Sequence, residues 1–279
     1  MGNKIKLGIC EWSLPIEGPY ACKIAAELGL DGVQLDIGKY ERGFSLSSPY
    51  VQQAYLENAK QYNISFPSIA VRELDNYGMT RPDGSVEKQI AMEGIMKALK
   101  AAEAMEIPIV MLPSFLDGEI KTEEDFNRVV NCLIKVCDEA LDRNVIVATE
   151  NLLSIEENKR LFELVNRPNL RLYYDTQNYY LNKKYNQAEL ADELFSSICE
   201  FHVKDGRNDD LSGALLGTGD SGFFDTMKVF MDKGYTGWIN IENYYDRKPL
   251  SLTNEEPITL IKKDIEILRK TIENKYQDA

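Results

Sequence analysis

Four side chains able to ligate a metal stand at the ends of four short apolar runs. His202, the only histidine in the chain, follows Ile198-Cys199-Glu200-Phe201. Glu150 ends the run that starts at Val145, Asp175 ends the run from Leu170, and Glu242 follows Trp238-Ile239-Asn240-Ile241. Read as strands, these runs carry one ligand each at their carboxyl ends, in the order Glu, Asp, His, Glu. A barrel of alternating strands and helices keeps its active site at that end. A carboxylate directly behind an apolar strand is half buried, which is costly unless a cation or hydrogen bonds offset it. Three oxygen donors and one imidazole suit Mn²⁺ first, then Zn²⁺ or Mg²⁺, and the set lacks the thiolates of a structural zinc site. Taken singly, each acid is more often a helix cap or a salt-bridge partner, and the histidine more often a hydrogen-bonded loop residue. The ordered set is what points to one ion.

The elements that must position these residues alternate eight times. Strand candidates are Ile5–Ile9, Gly32–Asp36, Ser65–Val71, Ile107–Leu112, Val145–Glu150, Leu170–Asp175, Ile198–Val203 and Trp238–Ile241. Most are continuous apolar runs, the pattern of strands buried on both faces of a parallel sheet. Between them lie amphipathic segments. Over Ser85–Met105, Ile90, Gly94, Met96, Ala98, Leu99 and Ala102 form an apolar stripe, and Glu87, Lys88, Glu93, Lys97, Lys100 and Glu103 a polar one. Thr122-Glu123-Glu124-Asp125 reads as a capping box with an acidic first turn. A last helix is expected within Asn254–Lys275, its apolar face at Ile258, Ile261, Ile265 and Leu268. Gly29 and Gly234 end helices just before strands, so the same joint recurs at both ends of the chain. Eight such units in 279 residues fit a closed α/β architecture, the (β/α)₈ TIM barrel, as a single domain over 1–279. No GxGxxG follows the first strand, which disfavours a doubly wound open sheet.

Composition excludes several classes of partner. The net charge of −13 disfavours polyanions, so neither nucleic acid nor an anionic membrane is expected. No apolar stretch approaches the ~20 residues of a membrane helix, and the N-terminal residues carry no secretory pattern. Met1-Gly2 would suit myristoylation, but Lys6 stands where Ser or Thr is required. Five cysteines without a CxxC read as reduced thiols of a cytoplasmic protein.

Thr149-Glu150-Asn151, Tyr174-Asp175-Thr176-Gln177-Asn178, His202-Val203-Lys204-Asp205, Gly217-Thr218-Gly219-Asp220 and Ile239-Asn240-Ile241-Glu242 occur in that order. Through them the chain resembles the xylose-isomerase-like barrel superfamily, in particular the sugar isomerase/epimerase branch that includes ketose 3-epimerases. The resemblance implies a divalent ion held by Glu150, Asp175, His202 and Glu242, with Glu150 and Glu242 doubling as acid and base on opposite faces of a sugar. It implies a further substrate-binding glutamate six residues after the first, where Glu156 stands. Asn178 departs from the pattern, since many relatives carry His there. A small-molecule sugar or sugar phosphate is the expected ligand, and a homo-oligomer is compatible with this reading.

The chemistry accounts for the residue types. Epimerisation next to a ketone removes a weakly acidic C–H proton and returns it from the other side. A divalent cation across the carbonyl and adjacent hydroxyl stabilises the enediolate. Two flanking carboxylates then abstract and donate the proton. Around the rim, Trp12 would stack on a sugar face, and Lys204 and Arg207 would hold a hydroxyl or phosphate. Glu11, Gln34, Asp36, Ser68, Arg72 and Glu73 are weaker candidates, and the glycines of 217–222 are expected to shape a nearby loop. The same metal and enediolate would serve an aldose–ketose isomerase or a cyclitol-ketone dehydratase. An abasic-site endonuclease needs several histidines that this chain lacks. A non-catalytic sugar-binding barrel would not be expected to keep a complete ligand set.

Overall fold

In the computed structural model, which describes residues 5–273, eight parallel strands follow one another in chain order around a closed barrel. The strands are β1 (Lys6–Cys10), β2 (Gly32–Asp36), β3 (Ser68–Ala70), β4 (Ile109–Pro113), β5 (Ile146–Glu150), β6 (Leu170–Asp175), β7 (Ile198–Val203) and β8 (Trp238–Ile241). Helices α1 (Ala21–Glu27), α2 (Pro49–Tyr62), α3 (Val86–Met105), α4 (Glu123–Leu141) and α5 (Ile155–Val165) occupy the first five connections. Two short helices, α6 (Asn178–Lys183) and α7 (Gln187–Leu194), fill the sixth. Helix α8 (Phe223–Asp232) precedes β8 and α9 (Pro257–Ile272) follows it. This is the (β/α)₈ barrel that the alternation of runs anticipates. Among the described residues no helix is long and apolar enough to cross a membrane. The myristoylation reading at Met1-Gly2, and positions 274 and 275 of the last expected helix, lie outside the described residues.

Four strands, β2, β6, β7 and β8, span the residues expected of them. Strands β3 and β4 begin later than their apolar runs, at Ser68 and Ile109. Pro67 and Pro108 stand just before them, and a residue without an N–H cannot donate to the ladder. In α3, Ile95 is fully buried and Met96 is only half-buried, so Ile95 takes the place expected of Met96 in the apolar stripe. Lys88 is buried rather than on the polar face. Its ammonium donates to the Met79 carbonyl, which gives the buried head group a hydrogen-bond partner.

The described residues form two compact units, one of 34–173 and one of 5–33 with 174–273. Within 34–173, β3, β4 and β5 pair in register, with Ser68 beside Ile109 and Pro113 beside Glu150. Helix α4 opens on the expected capping box. The Asp125 N–H donates to Thr122 Oγ1 at 3.1 Å, and the Thr122 N–H donates to Asp125 Oδ2 at 3.0 Å. The helix buries Phe126, Val129, Leu133, Val136 and Ala140 along one face.

In the other unit, β1 pairs with β8, Ile9 beside Ile241, and β7 pairs with β8, His202 beside Asn240. Successive residues of a strand face opposite ways, so Gly8, Cys10, Asn240, Glu242, Glu200 and His202 fall on one face. Gly8 is required there, because a Cβ would stand 2.1 Å from Asn240 Oδ1. The opposite face of β7 is anchored by Phe201, which stacks on Phe230 of α8 with ring centroids 4.1 Å apart. Both rings are fully buried, and truncating either to Ala would cost about 3–5 kcal/mol. That packing holds the strand carrying His202.

Candidate metal and active site

Asp175, His202 and Glu242 end or follow β6, β7 and β8, and their ligand atoms lie within 4.8 Å of one another. All three are buried. Each is aimed by its own local structure. One Asp175 oxygen, Oδ1, accepts the N–H groups of Gln177 and Asn178 at 2.7 and 2.6 Å, which leaves Oδ2 turned the other way. Thr176 Oγ1 donates to the Lys204 carbonyl at 2.7 Å and accepts the Lys204 N–H at 3.0 Å, tying the end of β6 to the residue after β7. The Glu242 N–H donates to the Val203 carbonyl at 3.0 Å, and this fixes the first residue beyond β8.

A buried cation sits among these groups. The Lys204 ammonium lies 3.1 Å from Asp175 Oδ2 and is hydrogen-bonded to Glu242 Oε2. His202 Nδ1 is 3.3 Å from Glu242 Oε2 and 4.0 Å from Asp175 Oδ2. Trp12 Nε1 donates to Glu242 Oε1 at 3.0 Å, and its ring meets the imidazole edge-on at 6.2 Å. Asp175 Oδ2 accepts no hydrogen bond among the described residues. Two buried carboxylates, both against one cation, and a buried imidazole beside them are a donor set that fits a divalent ion. Against them lies the Cys10 thiol, whose pKa burial pushes up to about 12, so at neutral pH it is protonated.

A family model described as a xylose isomerase-like TIM barrel matches residues 22–271. The chain belongs to that family. The 2-epi-5-epi-valiolone 7-phosphate 2-epimerase of an Actinoplanes species is 29% identical over 220 residues, which is 78% of each chain. Among solved structures, a xylose isomerase domain protein from Planctomyces limnophilus aligns with a TM-score of 0.77 at 18% identity, covering 98% of this chain and 100% of that one. The D-allulose 3-epimerase of a Methylomonas species, solved with D-allulose, aligns at 0.75 and 17% identity, covering 96% and 98%. At these identities the structural likeness speaks for the fold.

Within this xylose isomerase-like barrel, five of the residues singled out by sequence come together in one unit: Asp175, His202, Glu242, Trp12 and Lys204. Glu150 ends β5 in the other unit and is buried, its carbonyl accepting the Ser114 N–H at 2.8 Å. Glu156 is exposed in the first turn of α5. Arg207 is exposed in the loop after β7, where Nε donates to the Thr218 carbonyl at 2.9 Å. The weaker rim candidates are engaged in local structure. Glu11 accepts the Gly18 N–H, Gln34 donates to Ser68, Arg72 pairs with Asp36 at 3.7 Å, and Glu73 accepts the Tyr40 N–H.

Two groups escaped the sequence reading. Cys10 is one, although a small residue two positions after Gly8 on β1 was the available signal. The other is a buried network under the loop after β7. Asp205 accepts the Gly219 N–H at 3.0 Å and the Ser221 hydroxyl at 2.6 Å, shaping the glycine-rich loop as expected. Asn243 accepts the Asp205 N–H at 3.2 Å and donates to Asp264 Oδ2 at 2.7 Å. Asp264 also accepts from the Tyr245 hydroxyl at 2.7 Å and the Leu216 N–H at 2.8 Å. Burial pushes its carboxyl up to about 6, against the lowering effect of these hydrogen bonds. An acid placed between Ile261 and Ile265 on the apolar face of α9 was the signal for it.

Proposed function

We propose that the chain is a divalent-metal-dependent isomerase that epimerises a sugar or sugar phosphate next to a ketone, with Glu150, Asp175, His202 and Glu242 as its ligands. The observation that carries this reading is the buried trio of Asp175, His202 and Glu242, with His202 Nδ1 3.3 Å from Glu242 and the Lys204 ammonium set against both carboxylates. In a closed barrel the carboxyl ends of all strands open on one face. Glu150, the buried last residue of β5, is therefore the fourth ligand in this proposal. Mn²⁺ suits three carboxylates and one imidazole. When bound, the ion supplies Lewis acidity to a carbonyl and its neighbouring hydroxyl.

The chain's own groups do the rest. Glu150 and Glu242 stand on the fifth and eighth strands and serve the two faces of a flat enediolate, one accepting the C–H proton and the other returning it. Trp12 holds Glu242 Oε1 through its indole N–H and so orients the other oxygen. Lys204 balances the carboxylates and offers a donor to a substrate oxygen, while Glu156 and Arg207 contact its more distant hydroxyls or phosphate. The phosphorylated substrate in the name of the Actinoplanes relative supports the sugar-phosphate class. The protein acts as a single domain over 1–279, in the cytoplasm, where its free cysteines remain thiols.

A proton-exchange screen tests this. Metal-free protein, loaded with Mn²⁺, is incubated in D₂O with ketoses, ketose phosphates and cyclitol-ketone phosphates, and elemental analysis establishes the ion it purifies with. The expected result is deuterium at one carbon next to a carbonyl, lost with EDTA and restored by Mn²⁺. Exchange that is indifferent to metal, or absent from every ketone tested while metal is bound, overturns the reading. Release of water or an aldose would reassign the site to a dehydratase or an aldose–ketose isomerase.

A further inference from the structure

The register of β1 with β8 places Ile9 beside Ile241, so the next pair is Cys10 and Glu242. Cys10 Sγ, a ring nitrogen of His202 and a carboxylate oxygen of Glu242 lie within 4.8 Å of one another, and all three residues are buried. One sulfur, one nitrogen and one oxygen make a ligand set different in kind from the carboxylate-rich set proposed above. A thiolate favours borderline and soft ions such as Zn²⁺ and Cd²⁺, whereas carboxylates suit Mn²⁺ or Mg²⁺. Zinc accepts three protein ligands of these types and keeps its fourth position for water. Among the described residues no other cysteine shares such a group of three.

We propose that Cys10, His202 and Glu242 form a second, thiolate mode of this centre, which takes Zn²⁺ or Cd²⁺ and excludes the hard ion used in catalysis. The exclusion rests on the reading of the previous section, because both modes draw on His202 and Glu242. The binding step is a simple exchange. The S–H bond breaks, a sulfur–metal bond forms, and the proton leaves to solvent without any change of oxidation state. An ion held this way also occupies Glu242, one of the two proposed proton carriers, so thiophilic ions inhibit rather than activate.

The test uses the full-length, metal-free protein and Cd²⁺ as the probe, read by its ultraviolet thiolate-to-cadmium charge-transfer absorption. The expected result is a saturable band in the wild type that is missing in Cys10→Ser and weakened in His202→Ala. Cys10→Ala, which introduces no buried hydroxyl, should lose the band as well, with near-ultraviolet circular dichroism confirming a native fold. Cd²⁺ added to the manganese-loaded wild type should develop the band and release Mn²⁺ to solution, and both Cys10 variants should still bind Mn²⁺. A band of full amplitude in the Cys10 variants, or none in the wild type, overturns the proposal. A full band that develops while Mn²⁺ stays bound overturns the shared-ligand arrangement. If the wild type binds no Mn²⁺ yet shows a Cys10-dependent band, the thiolate mode stands and the catalytic-metal reading fails.

Discussion

Replacing Lys204 by Met, similar in length but uncharged, should destabilise the metal-free protein far more than an ordinary lysine substitution. Lys204 is buried, with its ammonium 3.1 Å from Asp175 Oδ2 and hydrogen-bonded to Glu242 Oε2. Asp175 and Glu242 are buried too, so solvent does little to screen either carboxylate. Removing one partner of a buried ion pair costs about 3–5 kcal/mol, because the remaining charge is left without compensation. For a chain of this size that corresponds to a fall in melting temperature of roughly 10 °C. A divalent ion changes the outcome, since it supplies the positive charge the variant lacks. At 100-fold above its Kd an ion stabilises the folded state by about 2.7 kcal/mol. In Lys204→Met the ion meets carboxylates with no competing ammonium, so the gain should be larger than in the wild type. The assay is thermal unfolding of both proteins by circular dichroism, in EDTA and in Mn²⁺. A variant that melts within about 2 °C of the wild type in EDTA would refute the argument that this ammonium offsets the two carboxylates.

Glu150→Gln and Glu242→Gln each keep an oxygen ligand and lose the proton acceptor, so epimerisation should fall by about 10²–10⁴-fold with metal content maintained. Near-normal epimerisation by either variant would exclude the two-base mechanism. Glu156→Ala should lower turnover and leave bound metal unchanged by elemental analysis; loss of the ion would remove Glu156 from the substrate-contacting role. Asp264 provides a pH prediction. Its carboxyl is raised from an ordinary 3.8 to about 6, chiefly by burial. Its contribution to stability is therefore complete below about pH 4 and is lost as pH rises through about 6. The gap amounts to about 3 kcal/mol. Urea unfolding of wild type and Asp264→Asn should show the wild type losing that much relative to the variant between about pH 4 and about pH 7. Parallel pH curves would show that Asp264 does not titrate in the folded protein as its burial implies.

The fold was legible because strands buried on both faces write themselves as apolar runs, and eight runs separated by amphipathic segments leave few architectures open. The departures from this pattern follow local rules. Pro67 and Pro108 trimmed two strands, and the Met79 carbonyl drew Lys88 inward. The site was legible only in part. Asp175, His202 and Glu242 stood out because a polar residue at the end of an apolar run is unusual. Lys204 stood out only as a rim group for a hydroxyl or phosphate; its burial against Asp175 and Glu242 was not legible, since a lysine in a loop is ordinarily solvated. Cys10 was invisible for a related reason. A cysteine at a strand end resembles any small apolar residue until the register of β1 with β8 sets it beside Glu242.

That register bears on how the centre is organised. On β1, β7 and β8 alternate residues face the same way, and the layer before the site holds Gly8, Glu200 and Asn240. Asn240 donates to Glu200, and its side chain fills the space that a Cβ on Gly8 would need. One step further along the same strands come Cys10, His202 and Glu242. A shift of β1 by one residue would exchange Cys10 for Ile9, move Gly8 out of contact with Asn240 and press a larger side chain into that place. The pairing that sets the site's chemistry is thus enforced by packing one layer below it. Substituting Gly8 should accordingly disturb the ligand geometry through β1, even though Gly8 itself carries no ligand.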